Sequence, residues 1–328
     1  MPLEVRSSAT GSLIHHNSYV AADFHSPELV EQTRELDLPH GRGYQAHWYF
    51  DGIRMAYSRW RYVQAPFEEE WRTDLDVVHL HFNLRGRSVI ENRRAGLTAR
   101  LGSYQHNLSY ARGFEGCIRS EELEAETFIL QFTRPAFLAL AAQANEPLRR
   151  FAEHISAGRE RELCPEPLHL NLALHQAIRE VLHCRFQGPL KKLFLSAKAL
   201  EILVLQAEAF ERHQQQAPRR TVRSEYDQER LLFARDYLIQ HVHLPPSLPE
   251  LARIAGLNEC KLKRGFKEQF GQTVFGYLAD FRLSEARAQL IEGGKTASEL
   301  AFELGYSSLQ HFSAAFKKKF GVSPRELR

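Results

Sequence analysis

Two stretches near the end of the chain place cationic and hydrogen-bonding side chains at helical spacing, a pattern suited to binding nucleic acid. The second half of segment 248–271 and the second half of segment 297–321 each predict a short amphipathic helix whose apolar stripe is built mainly from phenylalanine. Outside that stripe, lysine can contact DNA phosphates, and arginine or glutamine can hydrogen-bond base edges. The residues predicted to contact DNA are Cys260, Lys261, Lys263, Arg264 and Lys267 in the first helix, and Gln310, His311, Ser313, Lys317 and Lys318 in the second.

These two helices belong to an internal repeat. Segment 248–271 matches segment 297–321, with one residue gained in the second turn. In each copy we expect a short helix to end at a glycine, Gly256 or Gly305, and a polar residue to cap the next helix. This is the layout of a helix-turn-helix. One charged helix face alone would be explained by solvation, but two in a repeated frame favour DNA contact.

Composition and charge agree with a two-domain globular protein. The 328 residues are 43% hydrophobic and 25% charged, and the net charge is only +3. From Leu251 onward there are thirteen Lys/Arg against eight Asp/Glu, so the basic excess lies in this region. Four scattered cysteines predict a reducing compartment, and the sequence contains neither a signal-peptide core nor an apolar run of membrane-spanning length. We therefore expect a cytoplasmic protein that does not enter a membrane.

The elements that carry these features change character along the chain. From about Tyr44 to Thr133, period-two alternation such as "VVHLHFNL" predicts antiparallel β-sheet. From Pro135 to about His213 the pattern predicts three helices. The fold class is thus α+β. The predicted domains are a β-rich sensing domain at 1–134, a helical dimerisation and packing region at 135–213, a polar linker at 214–224, and an all-helical DNA-binding domain at 225–328.

The last hundred residues resemble the DNA-binding domain of AraC/XylS transcription regulators. The resemblance rests on the two-unit frame, the connecting "VFGYLADFRLSEARAQLIEG" and the closing "FGVSPRELR". It implies seven helices, a rigid connecting helix, and two recognition helices about one DNA turn apart. Base contacts would come from Cys260, Lys263 and Arg264 and from Gln310, His311 and Ser313. Ala314 replaces a basic residue common in relatives, so we expect the first copy of the repeat to read more of the DNA sequence than the second.

Further stretches resemble the siderophore-responsive branch of that family, of the pyochelin-regulator type. They are "PPSLPELARIAGLN", "TVFGYL" and "LFLSAKALEILVLQ". This resemblance implies a cupin-like β-barrel with a small-molecule pocket, a ferric siderophore as the effector, helices that form a homodimer, and activation of transcription with RNA polymerase as a further partner. The apolar stripe of the last helix would serve either the domain core or a partner subunit.

A cluster of rings and arginines at 46–64, followed by two histidines, is the candidate effector site. Aromatic rings can stack on a planar or chelated ligand, and arginines can balance a negative charge. Packing of the barrel core is the alternative explanation for the rings. The candidate effector-binding residues are Trp48, Tyr57, Arg59, Trp60, Arg61, His79 and His81.

Signals for catalysis are weak. His79 and His81 share one strand face, as in a metal-binding cupin, but no further ligands follow at the usual spacing. Cys117 is better explained as a buried small side chain than as a nucleophile. We therefore predict no catalytic residue, no metal and no cofactor. The alternatives left open are a cupin-like metal enzyme with a nucleic-acid-targeting tail and a DNA-binding regulator that needs no ligand.

Overall fold

The computed structural model describes residues 3–7, 13–17, 24, 26–216, 225–292 and 295–327. Most of the predicted linker, residues 217–224, lies outside these ranges. The chain divides into two compact units: Met1–Leu170 with Phe186–Gln215, and Asn171–Arg185 with Gln216–Arg328. In the described ranges, no helix has both the length and the apolar composition needed to span a membrane.

The first unit is built on two antiparallel sheets, which confirms the predicted β-rich half of an α+β fold. Their strand orders are β2-β1-β6-β11-β8-β9 and β13-β10-β7-β12-β5-β4-β3, and β14 pairs with β10. The strands are β1 Leu3–Ser7, β2 Leu13–Asn17, β3 Val30–Leu38, β4 Gly41–Phe50, β5 Ile53–Tyr62, β6 Phe67–Thr73, β7 Val77–Arg85, β8 Ser88–Asn92, β9 Leu97–Leu101, β10 Gln105–Ala111, β11 Phe114–Ser120, β12 Glu124–Thr133, β13 Arg161–Glu162 and β14 Leu168–His169.

The alternation predicted along β7 sets the two faces of the larger sheet. Val78, Leu80 and Phe82 are completely buried on one face. His79 and His81 lie on the other face, toward a cavity. Each strand pair is in antiparallel register, and paired residues point to the same side. The sheet therefore carries an apolar face and a polar face.

Four helices lie between Arg134 and Gln216, whereas the sequence predicted three. They are α1 Arg134–Ala141, α2 Glu146–Ser156, α3 Leu172–Leu182 and α4 Gly188–Gln216. The predicted single helix from Pro135 to Ile155 is wrong because α1 ends at Ala141 and a new helix begins at Glu146. The Asn145 side chain caps α2 by accepting from the Leu148 amide, and Pro147 fits only in a first helical turn.

Helix α4 packs on the first unit. Gln206 Nε2 lies 2.9 Å from His106 Nδ1, and both side chains are buried. Near the start of the helix, Lys191 pairs with Glu31 at 2.6 Å. These contacts fix which face of α4 is covered and which remains in solvent.

The second unit is entirely helical in its described residues. Its helices after α3 are α5 Glu225–Gln240, α6 Leu248–Ile254, α7 Glu259–Phe270, α8 Val274–Glu292, α9 Ala297–Glu303 and α10 Leu309–Phe320, followed by a 3-10 helix at Pro324–Leu327. Helix α8 contributes Tyr277 and Leu278 to one core and Leu283 and Leu290 to another. It is therefore the connecting helix that the resemblance implied.

Helix α3 belongs to this second unit, although the sequence assigned it to the middle region. Gln176 Nε2 donates to Ser284 Oγ at 2.6 Å, and Arg179 pairs with Glu285 at 3.1 Å. Glu180 also pairs with Arg287. The predicted boundaries at 135–213 and 225–328 thus differ from the observed packing because α3 docks on α8.

Candidate DNA-contacting surface and ligand cavity

The two predicted recognition helices are α7 and α10, and the same local devices position both. Gly256 and Gly305 have φ of 66° and 76°, so each turn uses a conformation that glycine adopts most readily. Asn258 accepts from the Lys261 amide at 2.8 Å at the start of α7. Ser308 accepts from the His311 amide at 3.2 Å at the start of α10. These caps confirm the turn layout predicted from the repeat.

The solvent face of α7 carries every residue predicted for it. Cys260, Lys261, Lys263, Arg264 and Lys267 are all exposed. Three of the cations lie beside carboxylates: Lys261 is 2.9 Å from Asp227, Lys263 is 3.3 Å from Glu259, and Arg264 is 3.4 Å from Glu268. The face is basic, but its charge is partly balanced.

The solvent face of α10 is polar at its start and cationic at its end. Gln310, His311, Lys317 and Lys318 are exposed, while Ser313 is half-buried. Residues 309–320 contain no acidic side chain, and Lys317 and Lys318 form no ion pair with any described residue. The next lysine, Lys319, turns inward and pairs with Asp280 at 3.2 Å. Lys317 is near enough to Glu326 for its charge to help lower the pKa of that carboxyl, but no ion pair of Lys317 or Lys318 forms within the described part of the chain.

A cavity of about 240 Å³ lies between the two sheets of the first unit. Its two walls differ in chemistry. The wall from the larger sheet is mostly polar, and the wall from the smaller sheet is mostly apolar. Polar residues include Gln45, His47, Arg54, His79, His81, Asn107, Ser109 and Gln131, and apolar residues include Trp71, Ile90, Leu97, Ala99, Leu101 and Ile118.

A hydrogen-bonded row crosses the polar wall. Arg54 donates to Gln131 Oε1 at 2.6 Å, and its other terminal nitrogen lies 2.9 Å from His47 Nδ1. Gln131 Nε2 lies 2.8 Å from His79 Nδ1. Burial lowers the pKa of His79 to about 3, aided by the Arg54 charge, and burial lowers the pKa of His81 to about 4. Both imidazoles are therefore neutral at physiological pH.

The apolar wall contains one deeply placed carboxyl group. Glu69 is 9% exposed and accepts from Trp71 Nε1 at 3.0 Å. Burial raises the pKa of Glu69 to about 7. The pKa of Tyr62 is raised as well. Burial of Tyr62 is the larger cause, and the charge of the nearby Glu69 is the second. A second carboxyl, that of Glu162, also lines the cavity, and burial raises its pKa to about 7.

The cavity includes four of the seven predicted effector residues. Trp60, His79 and His81 line it, and Tyr57 borders it. Tyr57 has the same place in the β5 alternation as Arg59 and Arg61, and its hydroxyl donates to Glu126 at 2.7 Å. The other three, Trp48, Arg59 and Arg61, do not line it. Residues alternate between faces along β5, so Arg59 and Arg61 point away when Trp60 points inward. A ligand in this cavity would not meet those two arginines.

Arg54 and Glu69 also line the cavity, and the sequence prediction missed both. For Glu69 a usable signal existed, because period-two spacing between Phe67 and Trp71 places its side chain on the inner face of β6. Across the described residues, no group of three or more side chains could hold a metal ion. His79 and His81 are thus not grouped with a third His, Cys, Asp or Glu among the side chains that the structure describes.

Two family matches cover most of the chain. The family described as "Regulatory protein PchR N-terminal domain" matches residues 40–222, and a "Helix-turn-helix domain" family matches residues 251–328. These families agree with the β-rich first unit and with the repeat in the second. Because they describe regulators, they confirm the predicted regulator over the cupin-like enzyme.

Individual relatives match over shorter stretches. "Regulatory protein PchR" of Pseudomonas aeruginosa is 39% identical over 131 residues, covering 39% of this chain and 42% of the relative. "HTH-type transcriptional activator RhaS" of Yersinia pestis is 37% identical over 103 residues, covering 31% of this chain and 38% of the relative. The chain thus matches less than half the length of these relatives.

A solved structure gives a third comparison. An AraC-type transcriptional regulator from Chromobacterium violaceum is 30% identical, covers 31% of this chain and 90% of its own, and has a TM-score of 0.30. Because the PchR N-terminal domain match spans more than half of the sequence and a helix-turn-helix match follows it, the chain belongs to the AraC-type transcription regulators of the PchR family.

Proposed function

We propose that this regulator binds promoter DNA through α7 and α10. The observation that carries the proposal is the pair of capped helices with exposed cationic and hydrogen-bonding faces in one repeated frame. Lysines would hold phosphates and fix the register, while Arg264 and Gln310 would contact base edges. Activation of transcription and contact with RNA polymerase are part of the same proposal and follow from the family resemblance.

The effector would bind in the cavity between the two sheets. The polar row and the opposite apolar wall suit a small molecule that has one polar edge and one apolar face. A ferric siderophore is the candidate that the resemblance supports. The volume of about 240 Å³ lies just below the ~300–1,000 Å³ typical of drug-sized sites, which favours a compact ligand.

A second copy of the chain would pair with α4. Leu190, Leu193, Leu200 and Val204 are 63%, 68%, 43% and 65% exposed, and Ala197 between them is also exposed. Their 3-4-3-4 spacing forms the narrow seam of a coiled coil. Packing seam to seam would remove these apolar side chains from water.

The first experiment is a gel shift with the full-length protein and double-stranded DNA from upstream of its own coding sequence. A salt series would be run with and without iron-loaded siderophore extract, and with scrambled DNA as the control. We expect sequence-selective, salt-sensitive binding that changes when the extract is added. Binding without sequence preference would reject the assignment of α7 and α10 as recognition helices.

The seam is tested by light scattering of Val204→Glu, with Arg212→Glu as a charge change elsewhere on the same helix. Val204→Glu should shift the protein toward monomer because a carboxylate at the seam would be buried against the partner. A dimer that persists in Val204→Glu, or an equal shift in both variants, would remove α4 as the interface.

A further inference from the structure

A chain of two hydrogen bonds ends at His79 on the polar wall of the cavity. Arg54, Gln131 and His79 are neighbours in register on β5, β12 and β7, so their side chains lie side by side on one face of the larger sheet. An Arg54 terminal nitrogen lies 2.6 Å from Gln131 Oε1, and Gln131 Nε2 lies 2.8 Å from His79 Nδ1. All three residues line the cavity.

The guanidinium of Arg54 sets the direction of this chain. Arginine has only N–H donors, so the Gln131 atom beside it must be the carbonyl oxygen. The Gln131 amide nitrogen then faces His79 and donates to Nδ1. Burial and the Arg54 charge lower the pKa of His79 to about 3, so the ring is neutral and carries a single proton. Because Nδ1 accepts, this proton is on Nε2.

The Nε2–H group of His79 is left for a ligand. His79 lines the cavity and is half-buried, and its Nε2 forms no hydrogen bond within the described part of the chain. Both bonds of the chain point the same way, from Arg54 toward His79, and aligned hydrogen bonds polarise one another. The chain therefore ends in a polarised donor, which calls for an acceptor on the ligand.

The charges around His79 favour a negative acceptor. Among the described residues, the charges that shift the pKa of His79 are those of Arg54 and His81, and no carboxylate is among them. Glu69 and Glu162 line the same cavity, but burial raises the pKa of each to about 7. Each of these two carboxyl groups can therefore hold a proton while an anion occupies the cavity.

We propose that His79, held as a donor by Arg54 and Gln131, anchors a carboxylate of the effector. Hydrogen bonds to an ionised acceptor are roughly twice as strong as neutral ones. Ser109 lies beside His79 in register on β10 and also lines the cavity, so its hydroxyl can donate a second bond. The apolar wall would cover the hydrocarbon part of the same molecule.

This inference rests on the proposed function, because it assigns a ligand class to the proposed effector cavity. It narrows that class to molecules that carry a carboxylate next to a compact apolar group. A ferric siderophore would meet this requirement through a carboxylate that is not bound to the iron.

The tautomer of His79 is tested first and needs no ligand. Nitrogen-15 NMR of the full-length protein labelled at histidine distinguishes a neutral ring protonated at Nε2 from one protonated at Nδ1. His79→Phe identifies the His79 signals by their loss. We expect the Nε2–H form at neutral pH, and a His79 ring protonated at Nδ1 in the unaltered protein would overturn the proposal.

Gln131→Glu tests whether the chain sets this tautomer. The new carboxylate accepts where the amide donated, so the proton of His79 should move to Nδ1. Arg54 would balance the new charge at 2.6 Å, which keeps the ring neutral. An Nε2–H signal that persists in Gln131→Glu would overturn the positioning roles of Arg54 and Gln131.

The binding probe is cyclohexanecarboxylate, compared with cyclohexylmethylamine, which has a similar shape but offers a cationic donor in place of the acceptor. Binding to the full-length protein is measured by calorimetry at neutral pH. We expect the carboxylate to bind about tenfold more tightly than the amine. Equal binding of the two probes, or no saturable carboxylate binding at millimolar concentrations, would overturn the proposal.

Variants locate the donor that matters. His79→Phe keeps a ring and removes the N–H group, so the carboxylate should lose about tenfold in affinity while the amine is unaffected. His81→Phe is the matched control, because it removes the other imidazole on the same face of β7. Loss of carboxylate binding in His81→Phe with retention in His79→Phe would move the anchor and overturn the assignment. If His79→Phe does not fold, the probe comparison in the unaltered protein still decides.

The gel shift separates this inference from the proposed function. Carboxylate binding that depends on His79 but leaves DNA binding unchanged would keep the anchor and reject effector control by this probe. DNA binding that responds to an extract equally in the wild-type protein and in His79→Phe would keep the regulator and overturn the carboxylate anchor.

Discussion

Helices α7 and α10 occupy equivalent places in the repeat but differ in how their charges are balanced. Arg264 in α7 corresponds to Ala314 in α10, and Glu268 corresponds to Lys318. In α7 three cations each lie within 3.4 Å of a carboxylate, whereas Lys317 and Lys318 have no such partner among the described residues. The frame is repeated while the chemistry of the exposed face is not.

The difference suggests a division of labour on DNA. A phosphate that approaches α7 competes with carboxylates already in place, so the gain from each lysine is reduced. The guanidinium of Arg264 can still form bidentate bonds to a base edge, which lysine and alanine cannot. We therefore expect α7 to select sequence and α10 to contribute mainly non-specific attraction at its lysine end.

The largest effect is expected from removing Arg264. Arg264→Ala should weaken binding to the cognate site by about 1–3 kcal/mol and relax base preference there. The corresponding test in α10 is Gln310→Ala, because Ala314 stands at the position of Arg264 and leaves that helix without an arginine. Gln310→Ala should weaken binding to the cognate site less than Arg264→Ala does. Fluorescence anisotropy with cognate and scrambled DNA measures both effects.

Two results would break the comparison. An Arg264→Ala protein with unchanged affinity and preference would show that α7 does not read sequence. Equal losses for Arg264→Ala and Gln310→Ala would show that α7 and α10 read bases to a similar extent.

The packing beneath the two helices should differ as well. A Cβ added at Gly265 would lie 2.6 Å from Leu231 Cδ1, and Leu231 is buried on α5. In Gly265→Ala, overpacking should lower the free energy of unfolding by about 1–3 kcal/mol. The higher helix propensity of alanine should offset roughly 1 kcal/mol of that loss. Ala315→Gly at the equivalent place should lose that propensity and the packing of one methyl group against the core around Phe312 and Phe316. Urea unfolding followed by circular dichroism compares them, and a stabilised Gly265→Ala would contradict the close packing.

Local signals explain why the repeat was predictable. The glycines, the caps and the phenylalanine stripe act over a few residues, and the structure places Gly256, Asn258 and Phe266 as the pattern predicted. The docking of α3 on α8 was missed because Arg179 and Glu285 lie 106 residues apart, which leaves no local pattern.

The cavity was only partly predictable for a similar reason. Alternation identified His79 and His81 on one face of β7, but it did not show which face of β5 would meet the cavity. That choice depends on packing against helices and against a second sheet. Arginines were assumed to face the ligand, yet Arg59 and Arg61 point away and Arg54 points inward.

A smaller effect is expected in the salt dependence of binding. Lys318→Ala should weaken binding evenly across sequences and lower the salt slope by about one ion. Lys261→Ala should lower the slope by less, because Asp227 at 2.9 Å already balances that lysine. Anisotropy titrations over a salt series give both slopes, and a larger change for Lys261 would reverse the proposed charge difference.

The smallest effect concerns stability at acidic pH. It tests whether the two copies of the repeat begin with equivalent helix caps. At the start of α6, the Ser247 amide and hydroxyl donate to the Glu250 carboxylate at 2.9 and 2.7 Å. At the start of α9, the Thr296 amide and hydroxyl donate to the Glu299 carboxylate at 2.7 and 2.8 Å. The hydrogen bonds to Ser247 hold the pKa of Glu250 below its ordinary 4.5. Because the folded pKa is the lower one, this carboxylate stabilises the fold above pH 4.5, and the contribution is lost as pH falls through the folded value.

Glu250→Gln should therefore reduce stability at neutral pH and make it fall less steeply on acidification. The change should be small because the capping box is exposed. Glu299→Gln removes the equivalent hydrogen bonds at the start of α9. It should act in the same direction if the two copies of the repeat use the same cap. Urea unfolding between neutral and acidic pH measures this, and a pH profile of Glu250→Gln that parallels the unaltered protein would show that the capping box carries no pH-dependent stability. Shared loss in both variants, combined with unequal losses for Arg264→Ala and Gln310→Ala, would establish that the repeat conserves its scaffold and varies only the face that meets DNA.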